Sequence, residues 1–187
     1  MSVFFVNPFL FEAGADFESI ATVTVGSGGA SSIEFTSIGT DYQHLQIRGL
    51  LRTTEASASS NVSLEFNGNT TASNYTWHVL RGDGASTLGY GQTSDKVIGN
   101  IAATGANASA SIFGAFVIDV LDYATSSKTR VARAFAGNDR NGSGAVVLNS
   151  LLFNNTGAVT SVKLLPPGSS NFAEYSSLAL YGLKAPA

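Results

Sequence analysis

The sequence predicts an all-β protein: an antiparallel two-sheet sandwich, jelly-roll-like, spanning residues 16–187, with an extended apolar N-terminal arm over residues 1–15. Three observations carry this. Ten or eleven short stretches show two-residue alternation, and Gly- or Asn-rich turn signals separate nearly every pair. No segment of ten or more residues holds a 3.6-residue period. Residues 111–123 are apolar on both alternating faces, with Ile112, Phe116, Ile118 and Val120 on one and Phe113, Ala115, Val117 and Leu121 on the other. A strand of that kind is expected to lie centrally, covered on both sides by other layers or other subunits. Many short strands without internal repeat or linker point to a single jelly-roll-like sandwich.

The arm comes first. It carries Phe4, Phe5, Phe9, Leu10 and Phe11, but no basic leader region, and Asn7-Pro8 breaks its apolar run, so it does not read as a signal peptide. Pro8 also opposes a continuous helix. Phenylalanines in water invite aggregation, and each contributes roughly 1.5–3 kcal/mol when buried. Two readings stay open: an edge strand of the chain's own sandwich, or an arm that docks on a neighbouring subunit. The Gly14-Ala15-Asp16 stretch reads as a joint.

Along the domain, strands are expected at 17–25, 32–38, 45–52, 62–66, 74–80, 97–102, 111–123, 129–136, 145–153, 159–165 and 176–183. Leu45, Ile47 and Leu51 share one face of the third, opposite Gln46, Arg48 and Arg52. These arginines either bond a neighbour's carbonyls or stay in solvent. Val62, Leu64 and Phe66 point inward. Asn67-Gly68 is the strongest hairpin signal in the chain, and the Gly26–Gly29 run reads as a hairpin loop. Residues 85–95 read as loop, and 138–144 as a polar hairpin loop.

A chain of 187 residues without cysteine has no disulfide, no thiolate metal site and no cysteine nucleophile. It is long enough to fold on its core alone. Charged residues make up only 12%, against about 25% in an average domain, and Ser, Thr, Asn, Gly and Ala fill the deficit. Such a surface is cheap to desolvate. It suits either a plain soluble β-protein or a chain that meets other subunits over much of its surface. The ten Lys and Arg are scattered and the formal net charge is −3, so no direct nucleic-acid binding is expected. No apolar run approaches the ~20 residues of a membrane helix, and no membrane partner is expected.

Catalytic chemistry is sparse. His44 and His78 sit at no metal-ligand spacing, so each is expected to be structural, and no metal or cofactor is expected. Asp119 and Asp122 could serve glycoside hydrolysis as a carboxylate pair. They are read instead as a turn cap and an ion-pair partner, with Lys128 and Arg130 as counterions. No nucleophile elbow, phosphate loop or dinucleotide fingerprint is present. Tyr75, Trp77 and His78 form a candidate glycan platform. Against it, Tyr75 and Trp77 share the inward parity of Val79.

Several ordered blocks carry a resemblance. They are residues 17–25 (FESIATVTV), 33–38 (IEFTSI) and 42–49 (YQHLQIRG), Phe66-Asn-Gly-Asn69 with Asn74-Tyr75, 118–124 (IDVLDYA) with Lys128, and 172–184 (FAEYSSLALYGLK). Over residues 17–184 the chain resembles the β-sandwich virion proteins of tailed bacteriophages, including phages of cyanobacteria and other aquatic hosts. The resemblance implies a structural protein of the particle, either a capsid decoration (cement) protein or a tail or fibre component, and it transfers no catalytic residue. It implies a homotrimer on the capsid exterior, assembled in the host cytoplasm and bound to the major capsid protein; residues 1–15 lie outside the resemblance, and on this reading the arm is expected to be the gripping segment. The alternative is a tail component that binds host-surface glycan.

Overall fold

In the computed structural model, which describes residues 17–184, the chain forms two antiparallel sheets packed face to face. The strands are β1 (Phe17–Thr24), β2 (Ile33–Phe35), β3 (His44–Leu51), β4 (Ser59–Phe66), β5 (Tyr75–Gly82) and β6 (Thr87–Thr93). They continue with β7 (Val97–Thr104), β8 (Gly114–Val120), β9 (Arg130–Asp139), β10 (Gly144–Phe153), β11 (Val162–Leu165) and β12 (Ser177–Leu183). The expected arm, with Phe4, Phe5, Phe9, Leu10 and Phe11, lies outside the described residues.

The large sheet has eight strands in the order β1-β12-β3-β8-β9-β10-β5-β6, and the small sheet has four, β2-β11-β4-β7. The small sheet packs against the large one chiefly through β7, which lies beneath β8, β9 and β10. The chain passes between the layers in the manner of a jelly roll. Four strands of the large sheet belong to two inserted hairpins. One, β5–β6, falls between β4 and β7; the other, β9–β10, falls between β8 and β11. Together they lengthen the large sheet beyond β8.

The core follows the two-residue alternation. Leu45, Ile47 and Leu51 of β3, Leu178 and Leu180 of β12, and Phe116, Ile118 and Val120 of β8 are buried from the large sheet. Val62, Leu64 and Phe66 of β4, Val162 and Leu164 of β11, and Ile33 and Phe35 of β2 are buried from the small one. Each such aliphatic or aromatic side chain contributes about 1.5–3 kcal/mol. On β9 the inward row is Ala132, Ala134 and Ala136. Small side chains there let β7 pack close beneath the hairpin extension.

Several expectations need correction. The strand with two apolar faces, β8, is central as expected, fourth of eight, and described residues cover one of its faces. Ala115 is exposed and Val117 half-buried on the other. The strand enclosed on nearly every side is β7, where all residues but Ile101 are buried. Its sequence hides this, because Gly99, Asn100, Ala102 and Ala103 show no apolar alternation. Gly99 is required by a close approach: a Cβ there would come within 2.4 Å of the Phe116 ring. Side-chain amides satisfy backbone groups of this strand that the ladder leaves over. Asn61 Oδ1 accepts from the Ile101 N–H at 2.7 Å, and Asn138 Nδ2 donates to the Ile101 carbonyl at 2.7 Å. Asn149 Oδ1 accepts from the Asn100 N–H at 3.3 Å.

Residues 85–95 are not all loop: they hold β6, which pairs with β5 along its length. Every residue of β6 is exposed, so burial left no alternation to read. Asn67-Gly68 makes a tight turn, with φ of 52° and 64°, but not a hairpin. It sends the chain from β4 in the small sheet to β5 in the large one. The Gly26–Gly29 run likewise joins β1 to β2 across the layers. A turn signal fixes local dihedrals and does not specify which layer receives the next strand.

Candidate interaction surface

Register places three rows across the outer face of the large sheet. One runs Arg48, Val117, Phe135, Leu148, Leu80, Gly89 from β3 to β6. A second, toward one end of the sheet, runs Leu50, Ala115, Gly137, Val146, Gly82. A polar row, Gln46, Asp119, Arg133, Ser150, His78, Gly91, flanks the first on its other side. The apolar members stand in solvent: Leu80 is 56% exposed, Phe135 58%, Val146 58% and Leu148 52%. With Leu50, in the same row as Val146, they form a patch rather than scattered single side chains.

The face is furrowed. An open groove of about 600 Å³ is lined by His78, Leu80, Val117, Arg133, Phe135 and Leu148. A second of about 580 Å³ lies at the sheet end, between Phe113, Ala115 and Val146 and the loops of Asp83 and Asp139. The charged groups in the polar row are mutually engaged. Gln46 Nε2 donates to Asp119 Oδ1 at 2.7 Å, and Arg133 Nη2 lies 3.7 Å from Asp119 Oδ2. Gly91 permits the row to end flat, since a Cβ there would meet the His78 ring at 2.4 Å. A face of aliphatic and aromatic knobs beside one paired charge is chemically suited to another protein surface.

The residues of the candidate glycan platform do not share a face. Tyr75 is fully buried, stacked on Phe153 at 4.8 Å. Its hydroxyl donates to the Asn69 carbonyl at 3.0 Å and accepts from the Phe66 N–H at 3.1 Å. Burial pushes its phenol up to about 12. Trp77 is buried beside it on the inner face, where its Nε1–H donates to Asp95 Oδ2 at 3.0 Å. His78 alone points outward.

The two aspartates have separate partners. Asp119 lines the groove and Asp122 does not. Asp122 lies past the end of β8, where the Lys128 ammonium at 2.6 Å holds its carboxyl below the usual value. The Asp122 N–H donates to His44 Nδ1 at 2.9 Å, so this histidine closes a turn. Arg130 makes no direct ion pair among the described residues, although the Asp122 charge partly offsets the burial that lowers its pKa. It is fully buried, and its guanidinium donates to the carbonyls of Lys128, Thr156 and Gly157. Arg52 likewise bonds the chain's own carbonyls, at Ala108, Ser109 and Ile112. Among the described residues no group of three or more His, Cys, Asp or Glu could hold a metal ion.

Of the outer-face residues of β5, β9 and β10, sequence reading singled out only His78, as part of the glycan platform, and none of the apolar ones. The signal was there in β10, where Val146, Leu148 and Leu152 oppose Val147 and Leu151. Both parities are apolar, as they are in β8. The chain matches no protein-family model, and neither curated proteins nor solved structures give a match.

Proposed function

We propose that this chain is a structural, self-associating protein of a tailed-phage particle, acting as a capsid decoration protein that binds the shell as a trimer. The observation that supports it is the uncovered apolar outer face of the large sheet, with Leu80, Phe135, Val146 and Leu148 at its centre. Burying such a face between protein subunits removes it from water, and several modest contacts per trimer multiply into firm attachment. The sparse charge of the chain supports the same reading, because its Ser-, Thr- and Asn-rich exterior desolvates at low cost. The particle, the shell as partner and the trimer come from the resemblance over residues 17–184.

Two measurements test this. Sedimentation velocity of the full chain is expected to show a concentration-dependent oligomer. Co-sedimentation with shells of the phage that encodes it is expected to deplete it from solution. A monomer at all concentrations that also stays in the supernatant overturns the reading. Immunogold labelling of particles separates shell from tail, and labelled tails would replace the decoration assignment with the tail one.

A further inference from the structure

We infer that the outer face of the large sheet is the receiving site for the Phe-rich leading segment, residues 1–15, of a second copy of this chain. This rests on the self-association proposed above and names what fills the face. The segment is apolar, with Phe4, Phe5, Phe9, Leu10 and Phe11, and the face offers an open furrow between Leu80, Phe135 and Leu148. Aromatic anchors set in such furrows are a recurring mode of recognition between chains.

Where the described chain begins decides which copy supplies the segment. Phe17 opens β1, the edge strand, on the row of Leu183 and His44. The apolar rows lie toward the other end of the sheet, in register with Ala179 and Ser177 of β12. β1 runs toward those rows, so Phe17, where the leading residues join it, stands at the opposite end. To cover its own face, a chain would have to double back at once. Leu148 sits five strands across and four residues along from Phe17, about 27 Å away. Fully extended, Phe11 reaches at most ~22 Å from Phe17 and falls short, Phe9 at ~29 Å only just spans the distance with nothing left for the reversal, and Phe4 and Phe5 clear it. A segment from a neighbouring molecule is not limited by that span.

The absence of native cysteine makes the test direct. Two full-length variants with different tags, Phe9→Cys and Leu148→Cys, are mixed, allowed to exchange subunits and treated with a short bismaleimide. The expected result is a two-chain product carrying both tags, lost when Phe135→Asp is added to the Leu148→Cys chain and circular dichroism shows its sheet content retained. A product from Leu148→Cys alone, without the mixed species, overturns the inference in favour of two faces packed on each other. A double variant that cross-links only within one chain overturns it in favour of the chain's own segment. If the protein sediments as an oligomer but no mixed product forms, the inference fails and the self-association stands. If it sediments as a monomer, both fail.

Discussion

The outer face of the large sheet divides into two halves that share a backbone ladder and differ in how their side chains are satisfied. On the jelly-roll half, Phe17 stacks on Tyr181 at 4.6 Å, the Arg48 guanidinium lies 5.1 Å from the Phe17 ring centre, and Gln46 is bonded to Asp119. These side chains have neighbours of their own chain, and Leu50, 47% exposed, is the exception on this half. On the hairpin extension, Leu80, Phe135, Val146 and Leu148 stand more than half exposed with no ring or charge over them. The lesson is that the inserted hairpins do more than widen the sandwich. They carry an apolar surface that no described residue covers, whereas the side chains of the jelly-roll half are largely paired within the chain.

The largest effect should come from breaking that contrast directly. Phe135→Asp with Leu148→Asp replaces two apolar knobs by charges. If each contributes about 1.5–3 kcal/mol to association, the pair weakens it by roughly 10²–10⁴-fold. Arg48→Ala on the other half should leave association unchanged. Sedimentation equilibrium measures both, and equal losses would erase the distinction between the halves.

A smaller effect concerns how the extension is held from beneath. Asn149 accepts from the buried Asn100 N–H and donates to the His78 carbonyl at 3.2 Å. Asn149→Leu leaves that N–H without its acceptor, at a cost of about 1–3 kcal/mol. Urea unfolding at constant m-value would show it. No loss would mean that the alanine row of β9, and not the amides, ties the extension to β7.

A third probe uses Tyr75, on the inner face of the same extension. Its phenol is raised from 10.0 to about 12 by burial, so the folded state holds the proton more tightly than the unfolded chain. The associated stability is intact below pH ~10 and drains away as pH rises toward 12. Unfolding midpoints should therefore fall across that window, and less steeply in Tyr75→Phe. The slope will not vanish there, because the Tyr42 and Tyr123 phenols are also raised. An unchanged slope would show that Tyr75 is reached by solvent before unfolding.

These comparisons also show why sequence reading reached the fold more fully than the surface. Alternation at Leu45, Ile47 and Leu51, or at Leu178 and Leu180, reports one buried face and places β3 and β12 correctly. In β7 the enclosed strand is built from Gly99, Asn100, Ala102 and Ala103, so its burial depends on a long-range fit that no local pattern encodes. In β8 and β10 the two-sided apolar pattern was legible. Its meaning was not, because an apolar row reads the same whether its cover is another layer or another molecule. Tyr75 and Trp77 followed the parity of Val79 inward, as the alternation allowed, and Arg130 did not follow its charge outward. Its guanidinium meets three carbonyls brought together only by the β9 entry and the loop before β11.

The smallest expected effect lies at the rim of the jelly-roll half. The Lys184 ammonium bonded to Glu18, together with the Tyr42 hydroxyl that donates to the same carboxylate at 3.0 Å, lowers the Glu18 carboxyl below 4.5. A lowered folded value means a contribution present above the unfolded value and lost as pH falls through the folded one. The group is exposed, so water and salt screen most of the attraction. Glu18→Gln should therefore lower the unfolding midpoint slightly at pH 6 in low salt, and the gap to the parent chain should close at pH 3 and in 1 M salt. Association should not change, since the rim belongs to the half that is already satisfied. A gap that persists at low pH would mean that Glu18 acts through packing against Tyr42 and not through its charge.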